Sequence, residues 1–518
     1  MTRRTAAGAT VLGIDLGTGS VRAGLYSQAG ALLAVHEENL ATAHPRPGWA
    51  EQLPAEVLTA LHRAVAAVAA GRPPPVALSV ASTAVSAVAV GDDDVPLGPS
   101  LLWMDTRAAG EAAEISHTRH PVLRYTGGQV SPEWMLPKAL WLARRDPSRY
   151  AAARRIVDVH DWVMFRLTGG WSLAQATIAA EWSYDPLAGG WPADLLSRLG
   201  LAGLADGWDV PRLAAGAVAG RLTPHAATST GLPAGLPVVQ GLMDSYAAAL
   251  AADVYQPGRV TVSVGTSSSY LGLSQQLAPD PRLLGPVPEA LGPGTIVQQG
   301  GQTSAAATVG WFSRQLAPGV PLAVLDAEAA AIEPGADGLW AVDTWQGCRT
   351  PYRNPAARGM WGGLTLAHTR AHLFRATLES VAFGGRAVLE TLGEAGVESR
   401  ELVVTGGAAR STLWMQIHAD VVGRPLLRLA AEQPVTLGAA MCAAVGAGAY
   451  PGLPEAAAAM SGTSQGWRPD PERHQAYQPL YTEYLHRLAA ASSLDGVSLG
   501  APDQGAARRR RGQAGKAG

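Results

Sequence analysis

Residues 11–26, Val-Leu-Gly-Ile-Asp-Leu-Gly-Thr-Gly-Ser-Val-Arg-Ala-Gly-Leu-Tyr, decide how the rest of the chain is read. An apolar run carrying one acid, Asp15, turns through Gly17-Thr18-Gly19-Ser20 and leaves as a second apolar run. That pattern predicts a β-hairpin with a small, hydroxyl-bearing tip. Gly17 and Gly19 let the backbone bend sharply and let a ligand approach the amides. Thr18 and Ser20 add donors, and Asp15 at the strand end would face whatever the tip holds. Bare amides, hydroxyls and one carboxylate suit a polyphosphate with a divalent cation. An ordinary hairpin whose glycines only make the turn fits the tip equally well. A Rossmann fingerprint is excluded, because Arg22 stands where the third glycine would be, and a Gly-Lys-Ser/Thr loop is excluded because neither Lys138 nor Lys516 has that context.

The composition narrows the class. A length of 518 residues suggests two large domains or three small ones, and the apolar content suffices for a core. A net charge of −2 points to neither nucleic acid nor an acidic membrane. Cys348 and Cys442, far apart in sequence, form no disulfide framework or metal cluster, which fits a reducing cytoplasm. The first ten residues lack the apolar core of a signal peptide. The charge-free run over residues 290–313 is too broken by Gly, Gln, Ser and Thr to give the roughly 20 apolar residues of a membrane span.

Further stretches carry chemistry. Residues 54–70 predict an alanine-rich helix, preceded by the turn-rich connector Pro45 to Gln52 with an exposed-looking Trp49. Residues 76–90 predict two strands interrupted at Ser82-Thr83, with a solvated turn at residues 92–94. In Leu-Leu-Trp-Met-Asp-Thr-Arg (residues 101–107) a strand end would put Trp103, Asp105 and Arg107 on one face. An aromatic plane, an acceptor and a fork donor suit a polyol, while a surface ion pair beside a packing tryptophan is the plainer reading. Residues 237–241 predict a buried strand, followed by Met243-Asp244-Ser245 and an alanine-rich helix. Asp244 reads either as an N-cap or as a general base taking a proton from an attacking hydroxyl. Residues 260–269 repeat the opening device, with Gly265-Thr266-Ser267 at a second tip, and mark a domain boundary near residues 253–258. Thr405-Gly406-Gly407-Ala408-Ala409-Arg410 is strand end, glycine pair and helix start. There an adenine and ribose could lie flat against bare backbone, although a tight strand-to-helix turn explains it as well.

Taken together these segments resemble the FGGY carbohydrate kinases, of the superfamily that holds actin and hexokinase. The resemblance rests on Asp-Leu-Gly-Thr-Gly-Ser, Trp-x-Asp-x-Arg at residues 103–107, Gly-Leu-Met-Asp-Ser-Tyr-Ala-Ala around Asp244, Gly-Gly-Gln-Thr-Ser at 300–304, and Arg-Thr-Pro…Asn-Pro at 349–355. It includes the C-terminal signature Gly359, Trp361, Gly363, Leu364, His372, Leu373 and Ala376 to Glu379. It spans residues from about Thr10 to Leu488. The resemblance implies two actin-like (ribonuclease H-like) α/β ATPase domains with mixed sheets flanking an ATP cleft. Their expected bounds are 10–253 and 254–493, with a flexible stretch at 1–9 and a disordered tail at 494–518. It implies ATP and Mg²⁺: Gly17, Thr18, Gly19, Ser20, Gly265, Thr266 and Ser267 on the phosphates, and Asp15 on the metal through water. Adenosine would meet Gly301, Gln302, Gly406, Gly407 and Arg410. A sugar would meet Ser82, Thr83, Trp103, Asp105, Arg107, Glu133 and the catalytic Asp244. Lys138 would open a helix and merely cap or solvate it.

The segment Arg-Tyr-Thr-Gly-Gly-Gln-Val-Ser-Pro-Glu-Trp from residue 124 resembles the ribulokinase-like branch. That branch, however, usually has an acid where this chain has Ala81 and a glutamate where it has Gln299. Xylulose kinases carry a Met-His pair near Thr83-Ala84 that is absent here. A ketopentose is the expected substrate, with another polyol or ketose as the alternative. A catalytically silent actin-like ATP-binding protein is the competing class. The expected partner is a small-molecule sugar, with no nucleic acid and no membrane. A homodimer is admitted as an assembly, but no stretch of sequence fixes an oligomeric state.

Overall fold

A computed structural model describes residues 8–493. The tail expected at 494–518, and the flexible stretch at 1–9 apart from residues 8 and 9, lie outside the described residues.

The predicted opening hairpin forms: β1 (Thr10–Leu16) pairs antiparallel with β2 (Ser20–Ser27), and β3 (Leu32–Asn39) continues the meander. On the other side of β1 lies β4 (Leu78–Ser82), parallel to it, and then β6 (Pro237–Met243), parallel again, with β5 (Val218–Arg221) at the edge. The order is β5-β6-β4-β1-β2-β3. Every residue of Leu78–Ser82 is buried, as suits a strand covered on both faces. One covering helix is the predicted α1 (Pro54–Ala69), which buries Val57, Leu58, Leu61, Ala64, Val65 and Val68 at helical spacing. Further helices of this half are α2 (Met135–Arg145), α3 (Val159–Thr168), α4 (Gln175–Glu181) and α5 (Asp244–Ala251).

The second sheet repeats the first in its connectivity. The hairpin of β7 (Arg259–Val264) and β8 (Ser268–Leu273) is extended antiparallel by β10 (Ile296–Gln302), with β9 (Leu284–Pro288) at the edge. Beyond β7 lie β11 (Glu401–Thr405) and β12 (Leu426–Leu429), both parallel to it, and then β13 (Thr463–Trp467). Each half is thus a three-stranded antiparallel meander whose first strand is flanked by two parallel strands. The repeat, faint between the two hairpin sequences, is plain in the topology. Helix α6 (Ala306–Gln315) follows β10, and α7 (Arg370–Glu394) carries the signature. The latter braces the second sheet through Phe374, Leu378, Val381 and Val388. Helix α8 (Thr412–Val422) follows β11.

One element departs from the expected division at 253/254. Helix α9 (Pro434–Gly446), late in the chain, packs against β1, β4, β6 and α5 of the first sheet. A single apolar cluster joins Val11, Ala81 and Val239 of the first sheet, Leu271, Val403 and Leu429 of the second, and α5 and α9 between them. The helices pass so closely that a Cβ at Gly438 would lie 2.0 Å from the carbonyl oxygen of Ala247. The sequence reason is the alanines of α5 and the Ala and Gly residues of α9, whose small side chains let backbones approach.

Candidate functional site

Three parallel strands deliver the first set of groups to one edge. The register Leu16↔Ser82↔Met243 aligns the carboxyl ends of β1, β4 and β6. Asp15, residues 17–20, Ser82-Thr83 and Asp244 therefore share that edge. Backbone bonds fix it: the amide of Gly17 donates to the Ser20 carbonyl at 3.0 Å, and that of Thr83 to the Leu16 carbonyl at 3.1 Å. The tip is held from outside as well. Gln52 Nε2 donates to the Thr18 carbonyl at 2.6 Å, and Trp103 Nε1 to the Thr18 hydroxyl at 2.8 Å. The connector before α1, which had no assigned task, thus anchors the first tip.

Asp244 is not an N-cap: it is the first residue inside α5, after Met243. Its Oδ1 accepts the Ser245 amide at 2.6 Å, and its Oδ2 accepts no hydrogen bond among the described residues. Burial pushes its carboxyl up to about 6. Asp15, 5 % exposed, is pushed up to about 7, first by burial and next by the negative charge of Asp244. The Arg22 guanidinium compensates in part, 3.3 Å from Asp15 Oδ2 while it also holds Glu37 at 3.0 Å. A buried Asp15 raised further by the charge of Asp244, with an arginine that it shares with Glu37, makes a place where an added cation is electrostatically favoured. Among the described residues no group of three or more His, Cys, Asp or Glu could hold a metal ion.

The second sheet presents a matching edge. Val264 and Thr405 end the adjacent parallel strands β7 and β11, and the hydroxyls of Ser263 and Thr405 lie 2.9 Å apart. Gly265 and Thr266 are exposed at the tip, and their carbonyls are drawn back onto the start of α6. Ala306 N donates to the Gly265 oxygen at 3.0 Å, and Ala305 N to the Thr266 oxygen at 2.9 Å. Gly406 has φ +96°, and a Cβ there would lie 2.4 Å from the Val264 carbonyl oxygen, so this turn requires glycine. Gly407 and Arg410 are exposed beside it.

Several expected site residues sit differently. Gly301 lies buried within β10, paired with Ser269. The Gln302 side chain points into the second half, where its Oε1 accepts the Ser268 hydroxyl at 2.7 Å and its Nε2 donates to Asp343 at 2.6 Å and to Val381 at 2.9 Å. With all its polar capacity used, Gln302 has nothing left for adenosine. The strand before Trp103 ends at Leu101, so Trp103, Asp105 and Arg107 lie on a turn and not on one strand face. Asp105 is fully buried and accepts from Ala50 N at 2.7 Å and from Arg107 N, Nε and Nη2 at 3.0, 2.9 and 2.7 Å. The Arg107 guanidinium also bonds Glu51 and stacks 3.6 Å from the Trp49 ring. This satisfied pair braces the wall behind Trp103 and offers no free acceptor to a sugar. Its cause is the connector residues 49–51, which sequence spacing did not link to Asp105.

Glu133, half-buried, accepts the Ser131 hydroxyl at 3.2 Å just before α2. Lys138 neither caps nor solvates that helix. It is fully buried, and its Nζ donates at 2.7 Å to the carbonyls of Val85 and Leu102; burial lowers its pKa to about 8. It thus ties the segment after Ser82-Thr83 to the one before Trp103. Glu181, at the end of α4, had no signal in the sequence; its charge is felt together with those of Glu133, Lys138, Asp158 and Asp244. No helix among the described residues is long and apolar enough to cross a membrane.

Comparison with known proteins agrees with this arrangement. Residues 10–251 match the N-terminal domain, and residues 260–447 the C-terminal domain, of the FGGY family of carbohydrate kinases. A ribulokinase of Mycolicibacterium smegmatis is 33 % identical, with 92 % of each chain covered. The xylulose kinase of Escherichia coli is 29 % identical over 92 % of this chain and 100 % of its own. The crystal structure of xylulose kinase from Rhodospirillum rubrum superposes with a TM-score of 0.85 at 31 % identity, covering 93 % of this chain and 98 % of that one. With two α/β halves built on one strand plan and both family domains matched in order, this chain belongs to the FGGY family of carbohydrate kinases.

Proposed function

We propose that the protein phosphorylates a hydroxyl of a ketopentose of the ribulose or xylulose type at the expense of ATP. The observation that carries this reading is the edge shared by Asp15, the residue 17–20 tip, Thr83 and Asp244, with one oxygen of Asp244 unengaged. Asp244 Oδ2 takes the proton of the sugar hydroxyl as that oxygen attacks the γ-phosphorus, and the bond to the bridging oxygen of ADP breaks. A carboxyl at about 6 is ionised at neutral pH yet basic enough to accept the proton. Gly17, Thr18, Gly19, Ser20, Gly265, Thr266 and Ser267 hold the phosphates. Gly406, Gly407 and Arg410 seat adenosine, and Asp15 holds the Mg²⁺ that ATP brings through water. Ser82, Thr83, Trp103 and Glu133 line the sugar side, with Asp105, Arg107 and Lys138 fixing the walls. Closure of the 10–253 half on the 254–493 half excludes water and limits ATP hydrolysis.

The relatives named ribulokinase and xylulose kinase support a pentulose. Two anchors differ: Ala81 stands beside Asp15 in the register, and Gln299 Nε2 donates to the Ser269 hydroxyl at 2.8 Å. A coupled ADP assay over pentuloses, hexuloses and polyols tests the reading. Strongest turnover with a pentulose is expected. A hexulose or polyol preferred tenfold or more would overturn the substrate class, and no sugar-dependent ADP release from any of them would overturn the kinase reading in favour of a silent ATP-binding protein.

A further inference from the structure

We propose that Arg353, carried by the second half, is a positioning residue for the sugar: it clamps the Thr126-Gly127 turn of the first half and so holds the loop that leads to Glu133. The proposal rests on the sugar-kinase reading of that side. It gives a task to two stretches that the site left unused, Thr-Gly-Gly at 126–128 and Arg-Thr-Pro…Asn-Pro at 349–355. Arg353 Nη1 donates to the Thr126 carbonyl at 2.9 Å and to the Gly127 carbonyl at 3.5 Å. It also donates to the Pro281 carbonyl of its own half at 3.3 Å. One charged nitrogen thus stitches the halves together, and bonds from a charged donor are stronger than neutral ones.

Gly127 fits a socket built by the second half. Its φ is +66°, and a Cβ there would lie 2.6 Å from Arg353 Nη1, 2.8 Å from the Leu283 carbonyl oxygen and 3.0 Å from that of Asp280. The socket is tied to β10: Thr350 Oγ1 accepts the Gly301 amide at 3.3 Å and donates to the Arg282 carbonyl at 3.2 Å. Beside it, β9 lies against α4 and the Pro121–Tyr125 turn, and Leu284 packs on the apolar core of the first half. Beyond Gly127 the chain runs through Glu133 into α2, whose Lys138 holds the Val85 and Leu102 carbonyls next to the Thr83 and Trp103 segments. The α2 end of the loop is therefore pinned within the first half, while the turn at its start leans on the second. A sugar that needs Glu133 in one place then binds best when the two halves are in register.

The test uses the full chain and reads binding apart from chemistry, by titration calorimetry with D-ribulose, D-xylulose and ribitol and separately with ATP. At least one of the three should bind the wild type. Arg353→Met keeps the stem and removes the donor; it should weaken that sugar at least tenfold with ATP affinity within threefold, which also shows that the variant is folded. A single nitrogen makes all three contacts, with no bidentate geometry to lose, so Arg353→Lys should return the sugar to within threefold of wild type. Gly127→Ala lifts the turn from the same socket and should weaken the sugar by a similar factor, and the double variant should be less than threefold worse than the weaker single one. Sugar affinity unmoved by Arg353→Met, ATP affinity falling as far as sugar affinity, no recovery with lysine, full multiplication in the double variant, or no sugar bound by the wild type would each overturn the proposal. Sugar bound without ADP release, yet weakened tenfold in Arg353→Met, would keep the clamp and remove the kinase reading. Sugar-dependent ADP release with sugar affinity unmoved in Arg353→Met would do the reverse.

Discussion

Replacing Asp244 by Asn should abolish phosphoryl transfer and, at the same time, stabilise the unliganded protein. The folded carboxyl sits at about 6 against an ordinary 3.8, because burial disfavours its charge. A folded pKa raised above the unfolded one means that the native state holds the proton longer, so stability falls as pH rises from about 4 through about 6 and is level above that. At about 1.4 kcal/mol per pH unit, the ionised group costs the fold about 3 kcal/mol at pH 8 and about half as much at pH 5. Asp244 keeps some contact with solvent, and an amide bonds the Ser245 N–H less strongly than a carboxylate does, so the realised gain is roughly 1–2 kcal/mol. For a half of this size that is a rise of about 2–8 °C in melting temperature at pH 8, shrinking toward pH 5. The activity readout is sugar-dependent ADP release, which should fall roughly 10²–10⁴-fold with loss of the base. In the wild type, kcat/KM should fall as pH drops below about 6. A variant within a few-fold of wild-type activity refutes the base assignment. A melting point unchanged or lowered at pH 8, or a gain equal at pH 5 and pH 8, refutes the electrostatic account of Asp244.

Other substitutions probe separate parts. Asp15→Asn should raise the Mg²⁺ concentration needed for half-maximal rate at least tenfold; an unchanged Mg²⁺ titration would remove Asp15 from the metal site. Lys138→Met leaves the Val85 and Leu102 carbonyls unpaired and should raise the sugar KM about tenfold with ATP KM steady; an effect on ATP alone would show that the ammonium does not shape the sugar side. Gly406→Ala forces a side chain into a left-handed turn 2.4 Å from a carbonyl oxygen, and roughly 1–3 kcal/mol of stability should be lost in denaturant titration. Gly438→Ala should lower the melting temperature by several degrees, since its Cβ would meet the Ala247 carbonyl; a neutral result would mean that α5 and α9 have slack.

What the sequence made legible were the devices built from neighbours along the chain. The Gly17–Ser20 and Gly265–Ser267 tips, α1, and the strand-to-helix placement of Asp244 are local patterns of turn residues and apolar runs, and they form as read. What stayed hidden depends on residues brought together across long intervals. Glu51 and Trp49 capture Arg107 across more than fifty positions, which turns an apparent sugar-binding face into a braced wall. The alternation of Trp103, Asp105 and Arg107 suggested a strand, but turn hydrogen bonds to Gly48 and Leu102 prevailed. Gln302 sits one residue past Gly301 on a strand, so its side chain points into the core shared with Asp343. Glu181 carries no motif; only the packing of α4 on β6 brings its charge to Asp244. Helix α9 reads as belonging to the second half by position, and only its small-residue surface hints that it slots between the sheets.

That slot has a mechanical consequence. Where α5 and α9 cross at Gly438, the glycine hydrogen faces the Ala247 backbone directly, with no side chain between them. At that crossing there is no room for a side chain, so the two helices are held at backbone distance and can approach no further. The seat is tight because it is bare, and even one extra methyl at position 438 would be a pebble in it.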